Sequence, residues 1–201
     1  MPLARMDRKA QRERIRRLTE EFPATTRQRR VIRAFVKECC QSLDIVPPVI
    51  DVGSGYRSNE PEVCADGLLD YYTLDLNPST GADFILDGAA MTGIPDRVFG
   101  VALCTELLEH VRSPQDVVRE IWRVLRQGGL FIVTVPFAAP IHEKAWQPDY
   151  WRFTPDGLRL LLKDFHIIRL QTEGDDELAP LVTLAAAVKQ SRSMQECAAA
   201  V

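Results

Sequence analysis

Long hydrophobic runs are missing from this chain. The longest covers residues 181–188, far short of the roughly 20 residues a membrane-spanning helix needs, so no membrane span is expected. The first thirty residues contain no apolar core segment, and a secretory signal is not expected. No C-x-x-C pair occurs among Cys39, Cys40, Cys64, Cys104 and Cys197. An odd set of thiols without a framework suits a reduced, cytoplasmic protein and gives no metal-ligand spacing, so no metal is expected. The ending C-A-A-A-V sets its cysteine one place too early for prenylation. A Gly-Lys-Ser/Thr phosphate loop is also absent, which argues against nucleoside triphosphate hydrolysis.

Charge is present but unevenly spread. Residues 1–37 carry 12 Lys+Arg against 4 Asp+Glu, and the remainder carries 13 against 24. The acidic body argues against general nucleic-acid binding. The basic start reads as a helical extension over residues 1–46, with residues 6–21 rich in helix formers. A second helix is predicted over 26–43, where Val31, Ile32, Phe35, Val36 and Cys39 recur at helical spacing. Pro47-Pro48 ends this region, and a single domain is expected over 47–201. The arm's thin apolar face argues against membrane insertion and suits a solvated or partner-docking helix.

From residue 49 the pattern becomes short apolar strands alternating with helices. Strands are predicted at 49–52, 71–75, 84–86, 98–104, 130–135 and 165–172. Helices are predicted near 59–61, over 114–126 with Ser113 as N-cap and Gly128-Gly129 as the stop, and over 155–162. Residues 181–188 read equally as a strand or a helix. Alternation of this kind implies a parallel, doubly wound α/β sheet with right-handed crossovers. Ligands of such sheets lie beyond the carboxyl ends of the strands, where strand order reverses.

The residues after each strand therefore matter most. The first strand ends in Asp51-Val52-Gly53-Ser54-Gly55, where glycines allow close approach of a ligand to the backbone. The second ends in Asp75, twenty residues past Gly55, a carboxylate able to accept from two ribose hydroxyls. The third ends in Asp87-Gly88 and the fourth in Cys104-Thr105-Glu106. In this order the pieces describe a site for a nucleoside with a charged tail. A dinucleotide fingerprint would want a third glycine at position 58, which is Ser58.

The segments VIDVGSG, YYTLDLNPS, ADFILDGAAMTGIPDRVFGVALCTELLEHV and VVREIWRVLRQGGLFIVTVPF resemble successive motifs of class I S-adenosylmethionine-dependent methyltransferases, most closely the type 11 group. The resemblance covers residues 47–172, and the CTELLEHV to EIWRVLRQGG block is its most specific part. It implies a Rossmann-like, mostly parallel seven-stranded sheet with helices on both faces, S-adenosyl-L-methionine as cofactor and a small-molecule acceptor. It assigns Asp51, Gly53, Ser54 and Gly55 to the loop around the methionine moiety, and Asp75 and Leu76 to the ribose and adenine. Asp87 and Gly88 would face the adenine, with Thr105 and Glu106 near the sulfonium. Arg57 stands where the family usually has a glycine nearby; it would pair with the cofactor carboxylate or a substrate anion, or simply close the loop as an exposed arginine.

Methyl transfer to a hydroxyl needs a positioned nucleophile and gains from a base. His110, after the fourth strand, and His142, after the fifth, are the candidates. A loop-fixing hydrogen bond is the alternative for His110. HEKAWQPDYWRFT brings Trp146, Asp149, Tyr150, Trp151 and Arg152 to the expected acceptor loop. They would form an apolar or sugar-stacking wall with polar contacts, or pin the loop to the core. The expected function is O-methylation of a sugar, glycan precursor or natural-product hydroxyl. The alternatives are a nicotinamide-dependent oxidoreductase and a non-catalytic methyltransferase-like binding domain.

Overall fold

A computed structural model describes residue 13 and residues 27–43, 45–56, 59–64, 70–141 and 148–190. Most of the arm predicted over 6–21 lies outside this set. Seven strands make one sheet: β1 (Val49–Val52), β2 (Tyr71–Asp75), β3 (Phe84–Ile85), β4 (Phe99–Thr105), β5 (Leu125–Pro136), β6 (His166–Glu173) and β7 (Val182–Val188). Their order is β3-β2-β1-β4-β5-β7-β6. β7 runs antiparallel to both its neighbours, and the pairings among β1 to β5 are parallel. The chain reverses its winding between β1 and β4, which puts a topological switch at the first strand.

Alternation along the strands separates two cores. Val101 and Leu103 of β4, Leu130 and Ile132 of β5, and Leu184 and Ala186 of β7 face one layer. Ala102 and Cys104, Phe131 and Val133, and Ala185 and Ala187 face the other. The first layer is covered by α1 (Arg27–Ser42), through Ile32, Phe35, Val36 and Cys39, and by the short α2 (Glu60–Val63) through Val63. The second is covered by α3 (Pro114–Val124), with Val117, Val118, Ile121 and Val124, and by α4 (Pro155–Leu161), with Leu158.

α1 packs directly against the sheet. Its apolar stripe, Ile32, Phe35, Val36 and Cys39, is buried in the layer that covers one face. α3 ends earlier than expected. It stops at Val124, and the chain enters β5 at once. Gly128, at φ +74, lies inside β5, where the register against β4 shifts between Phe99 and Val101. Lys189 replaces a glycine cap: its ammonium donates to the Leu125 carbonyl at 2.7 Å and also to that of Trp122. A cation at a helix C-terminus is favoured by the aligned peptide dipoles. Residues 182–188 are a strand, which completes the sheet.

Candidate functional site

The carboxyl ends of β1, β2, β4 and β5 form one rim. At β1 the chain turns through Gly53 (φ +73) and Gly55 (φ +54). The amides of Gly53 and Ser54 both donate to the Leu74 carbonyl, at 2.8 and 3.2 Å. A Cβ on Gly53 would come within 2.7 Å of Leu107 Cδ1, so this glycine admits both the left-handed backbone and the Leu107 side chain. A Cβ on Gly88 would meet Val52 Cγ1 at 3.0 Å, which packs the β3 exit against β1.

Two neighbouring carboxylates do different work. Asp51 alternates inward toward the α1 layer and is fully buried. Its Oδ2 accepts from the Asn59 amide at 2.9 Å, from Asn59 Nδ2 at 3.3 Å and from the Tyr71 hydroxyl at 2.7 Å. Asn59 Nδ2 also donates to Thr105 Oγ1 at 3.0 Å. Burial raises the Asp51 carboxyl, opposed by the Asn59 amide, the Tyr71 hydroxyl and the nearby Arg29. Asp51 and Thr105 thus tie the β1 loop, α2 and β4 together from below. Asp75 sits on the rim itself. Its Oδ2 accepts from the Gly55 amide at 2.8 Å and its Oδ1 from the Asn77 amide at 2.8 Å.

Each Asp75 oxygen keeps a further lone pair for a ligand hydroxyl. Leu76 beside it is 68% exposed, an apolar surface open to a planar base. Asp87, also exposed, closes its own turn by accepting from the Ala89 amide at 2.8 Å. A carboxylate with spare acceptors, an exposed leucine and a glycine turn fit an adenosine-type group. Arg57 and Ser58 lie outside the described residues.

At the β4 end, Glu106 has φ +53. Its Oε1 accepts from Thr134 Oγ1 of β5 at 3.1 Å, and its Oε2 accepts from Gln28 Nε2 of α1. Burial raises this carboxyl to about 7, opposed by Thr134, Arg29, Gln28 and Arg152. Glu109, three residues on, is fully buried. Its carboxyl has no hydrogen-bond partner among the described residues. Burial first, and the charge of Glu106 second, push it well above the carboxylate range. His110 Nδ1 lies 2.7 Å from the Pro148 carbonyl, an acceptor only, so Nδ1 carries the proton. Its Nε2 lies 3.6 Å from Glu109 Oε1, and the side chain is 5% exposed. Both ring nitrogens therefore face protein groups.

The expected acceptor loop is anchored on the same turn. The amides of Tyr150 and Trp151 donate to the Glu109 carbonyl at 2.7 and 3.2 Å. Trp151 Nε1 donates to the Val111 carbonyl at 2.9 Å, which leaves the ring 43% exposed. Arg152 Nη2 donates to Asp149 Oδ2 at 2.7 Å and its Nη1 to the Trp151 carbonyl at 2.8 Å. Asp149 and Arg152 satisfy each other, while Tyr150 and Trp151 present partly exposed rings. His142 and Trp146 lie outside the described residues. Sequence reading missed Gln28, Asn59, Tyr71 and Thr134. The first three reach the rim through tertiary contacts with no sequence signature. Thr134 carried a weak signal as the polar residue near the end of an apolar strand.

A depression of about 330 Å³ lies at the opposite, amino end of the sheet, lined by Arg97, Trp122, Arg123 and Lys189 among others. Arg123 there is taken up by Glu120 and Asp96 and by the Ile94 and Met91 carbonyls. The rim, not this depression, holds the ligand-type geometry.

Residues 50–133 match the family described as "Methyltransferase domain". No curated protein sequence matches the chain. Among solved structures, the chain is similar to a Burkholderia thailandensis 1,6-didemethyltoxoflavin-N1-methyltransferase with bound 1,6-didemethyltoxoflavin and S-adenosylhomocysteine. That likeness has 17% identity and a TM-score of 0.63, over 95% of this chain and 93% of that one. A putative methyltransferase in complex with the Haloferax volcanii Trm112 activator is similar at 15% identity and TM-score 0.63, over 89% and 98%. The [4+2]-cyclase SpnF is similar at 15% identity and TM-score 0.64, over 85% and 86%. At these identities the structural likeness concerns the fold.

Proposed function

Since the chain carries a methyltransferase domain of the class I S-adenosylmethionine-dependent family, we propose that it moves the methyl of S-adenosyl-L-methionine to a hydroxyl of a small molecule. A sugar, a glycan precursor or a natural-product hydroxyl is the acceptor in this reading. The observation that carries it is the pairing of the Gly55 amide with Asp75 at 2.8 Å. This bond couples the glycine turn of β1 to the carboxylate of β2, and it leaves acceptor capacity toward the open rim.

In this reading Asp75 holds the ribose hydroxyls, Leu76 lies against the adenine, and Asp87 and Gly88 border it. Gly53, Ser54, Gly55 and Arg57 border the methionine moiety. When bound, the cofactor supplies an electrophilic methyl on a sulfonium. The chain's own part is to orient the acceptor, keep out competing water and receive a proton, since positioning alone supplies roughly 7–11 kcal/mol in the best intramolecular cases. Tyr150 and Trp151 offer ring faces suited to a sugar or an aromatic acceptor. Asp51 and His110 act as supports, through the bonds that fix the β1 loop and the segment at Pro148. His142, Trp146, Asp149 and Arg152 belong to the acceptor loop.

The cyclase among the similar folds is the specific reason to keep a second reading, in which the domain binds the cofactor without transferring its methyl. Methyl-labelled S-adenosylmethionine incubated with a panel of sugars, phenols and aliphatic alcohols separates the two. Label in an acceptor, with stoichiometric S-adenosylhomocysteine, supports transfer. Cofactor binding with no label transferred to any acceptor favours the second reading.

A further inference from the structure

Glu106 is the residue at which three elements converge. Apart from Arg97, it is the one non-glycine with a positive φ among the described residues. A left-handed backbone costs such a residue roughly 1–2 kcal/mol, and conformations of this type persist where the surroundings over-determine them. Here the Glu106 amide donates to the Thr134 carbonyl at 3.1 Å. Thr134 Oγ1 and Gln28 Nε2 then hold one carboxylate oxygen each. The twist turns the side chain toward β5 and α1, away from Asp75 two strands over. Residues 150 and 151 are tied to the turn that follows, through the Glu109 and Val111 carbonyls, and the neighbouring Arg152 lies near enough for its charge to act on the Glu106 carboxylate.

Resting on the methyltransferase reading, we propose that Glu106 takes the proton from the methyl-accepting hydroxyl or amine, and that Gln28 of α1 is the positioning residue that aims its carboxylate. The acceptor is then a neutral O–H or N–H group that must lose a proton, not a carbanion or a preformed anion. The step balances. The acceptor oxygen or nitrogen forms its bond to the methyl carbon as the carbon–sulfur bond breaks. That bonding pair stays on sulfur as a neutral thioether, and the acceptor's proton passes to the Glu106 carboxylate and then to water.

The charged groups facing this carboxylate are balanced for the task. Burial and Glu109 favour its protonated form, while Arg29 of α1 and Arg152 of the acceptor loop favour the ionised form. An acid titrating at about 7 is ionised often enough to accept a proton and basic enough to hold it. Gln28 and Thr134 donate to the ionised form, so losing Gln28 moves the titration upward.

The test uses the full chain with ¹³C-labelled glutamate. The Glu106 carboxyl signal is identified by its loss in E106Q and titrated in the presence of S-adenosylhomocysteine. A midpoint near 7 that rises in Q28A is expected, and the acid limb of the kcat/KM profile rises with it. Turnover of a hydroxyl acceptor falls about 10²–10⁴-fold in E106Q. A midpoint in the ordinary carboxylate range that Q28A leaves in place overturns the positioning role. Wild-type kcat/KM in E106Q overturns the base. S-adenosylhomocysteine affinity is measured in parallel: no binding by the wild type overturns the methyltransferase reading itself, whereas binding with either result above overturns this inference alone.

Discussion

Asp51 and Asp75 lie near the ends of adjacent strands and on the same face of the sheet, and two positions of register separate their fates, since Asp51 pairs with Thr73 and Asp75 stands two residues further on. Asp51 shares the inward face with Val49 and is spent on Asn59 and Tyr71. Asp75 reaches the rim. Hydrogen bonds to a charged acceptor contribute about 1.5–3 kcal/mol, so Tyr71→Phe is expected to lower stability by that amount in chemical denaturation. Asp75→Ala also removes the acceptors of the Gly55 and Asn77 amides, so it is expected to lower the melting temperature somewhat while the protein stays folded, and to weaken S-adenosylhomocysteine binding at least tenfold by calorimetry. The sequence showed both aspartates near strand ends but not the register that sets one below the other, because Asn59 and Tyr71 meet Asp51 only after β1 and β2 pair. Glu109 makes a third prediction. Its carboxyl is raised by burial and by Glu106, so the folded state holds its proton more tightly than the unfolded chain. The stabilisation is complete below the ordinary carboxylate range and is lost as pH rises through the raised value. Glu109→Gln, which mimics the protonated form, is therefore expected to melt several degrees above wild type at pH 8, with the gap closing toward pH 5. A lower melting temperature for Glu109→Gln at pH 8 would contradict this reading.

At the scale of elements, α1 is the clearest case of a helix whose role depends on tertiary packing. Its periodicity was readable, since Ile32, Phe35, Val36 and Cys39 repeat at helical spacing. What covers what was not readable, because β1, β4, β5 and β7 present their apolar faces to α1 only once the sheet is assembled. Phe35→Ala is expected to cost about 3–5 kcal/mol, the range for truncating a fully buried aromatic, which a surface-extension helix would not show. The other differences have local causes. Gly128-Gly129 reads as a helix stop, yet α3 ends earlier because Leu125 pairs with Phe99 and Lys189 takes the last carbonyls. The run at 182–188, ambiguous by period, is a strand because it is buried on both faces between β5 and β6. The acceptor loop was legible in composition only. The Trp151 indole bond to Val111 and the Asp149–Arg152 pair are tertiary facts.

Across the whole molecule, the strand order β3-β2-β1-β4-β5-β7-β6 sets β1 at the reversal, and the loops that follow β1, β2 and β4 share one rim. The basic start of the sequence and its acidic remainder meet there: Arg29 of α1 acts on both Asp51 and Glu106, and Gln28 on Glu106. This joining of the two charge blocks was outside what composition could reveal. The account stands on the rim being an adenosine site. Isothermal calorimetry with S-adenosylmethionine, S-adenosylhomocysteine and NAD tests that most directly. Saturable one-to-one binding of the first two, lost in Asp75→Ala, with no heat from NAD, is the predicted result. Folded protein that binds neither adenosyl compound, or that binds NAD alone, would contradict it.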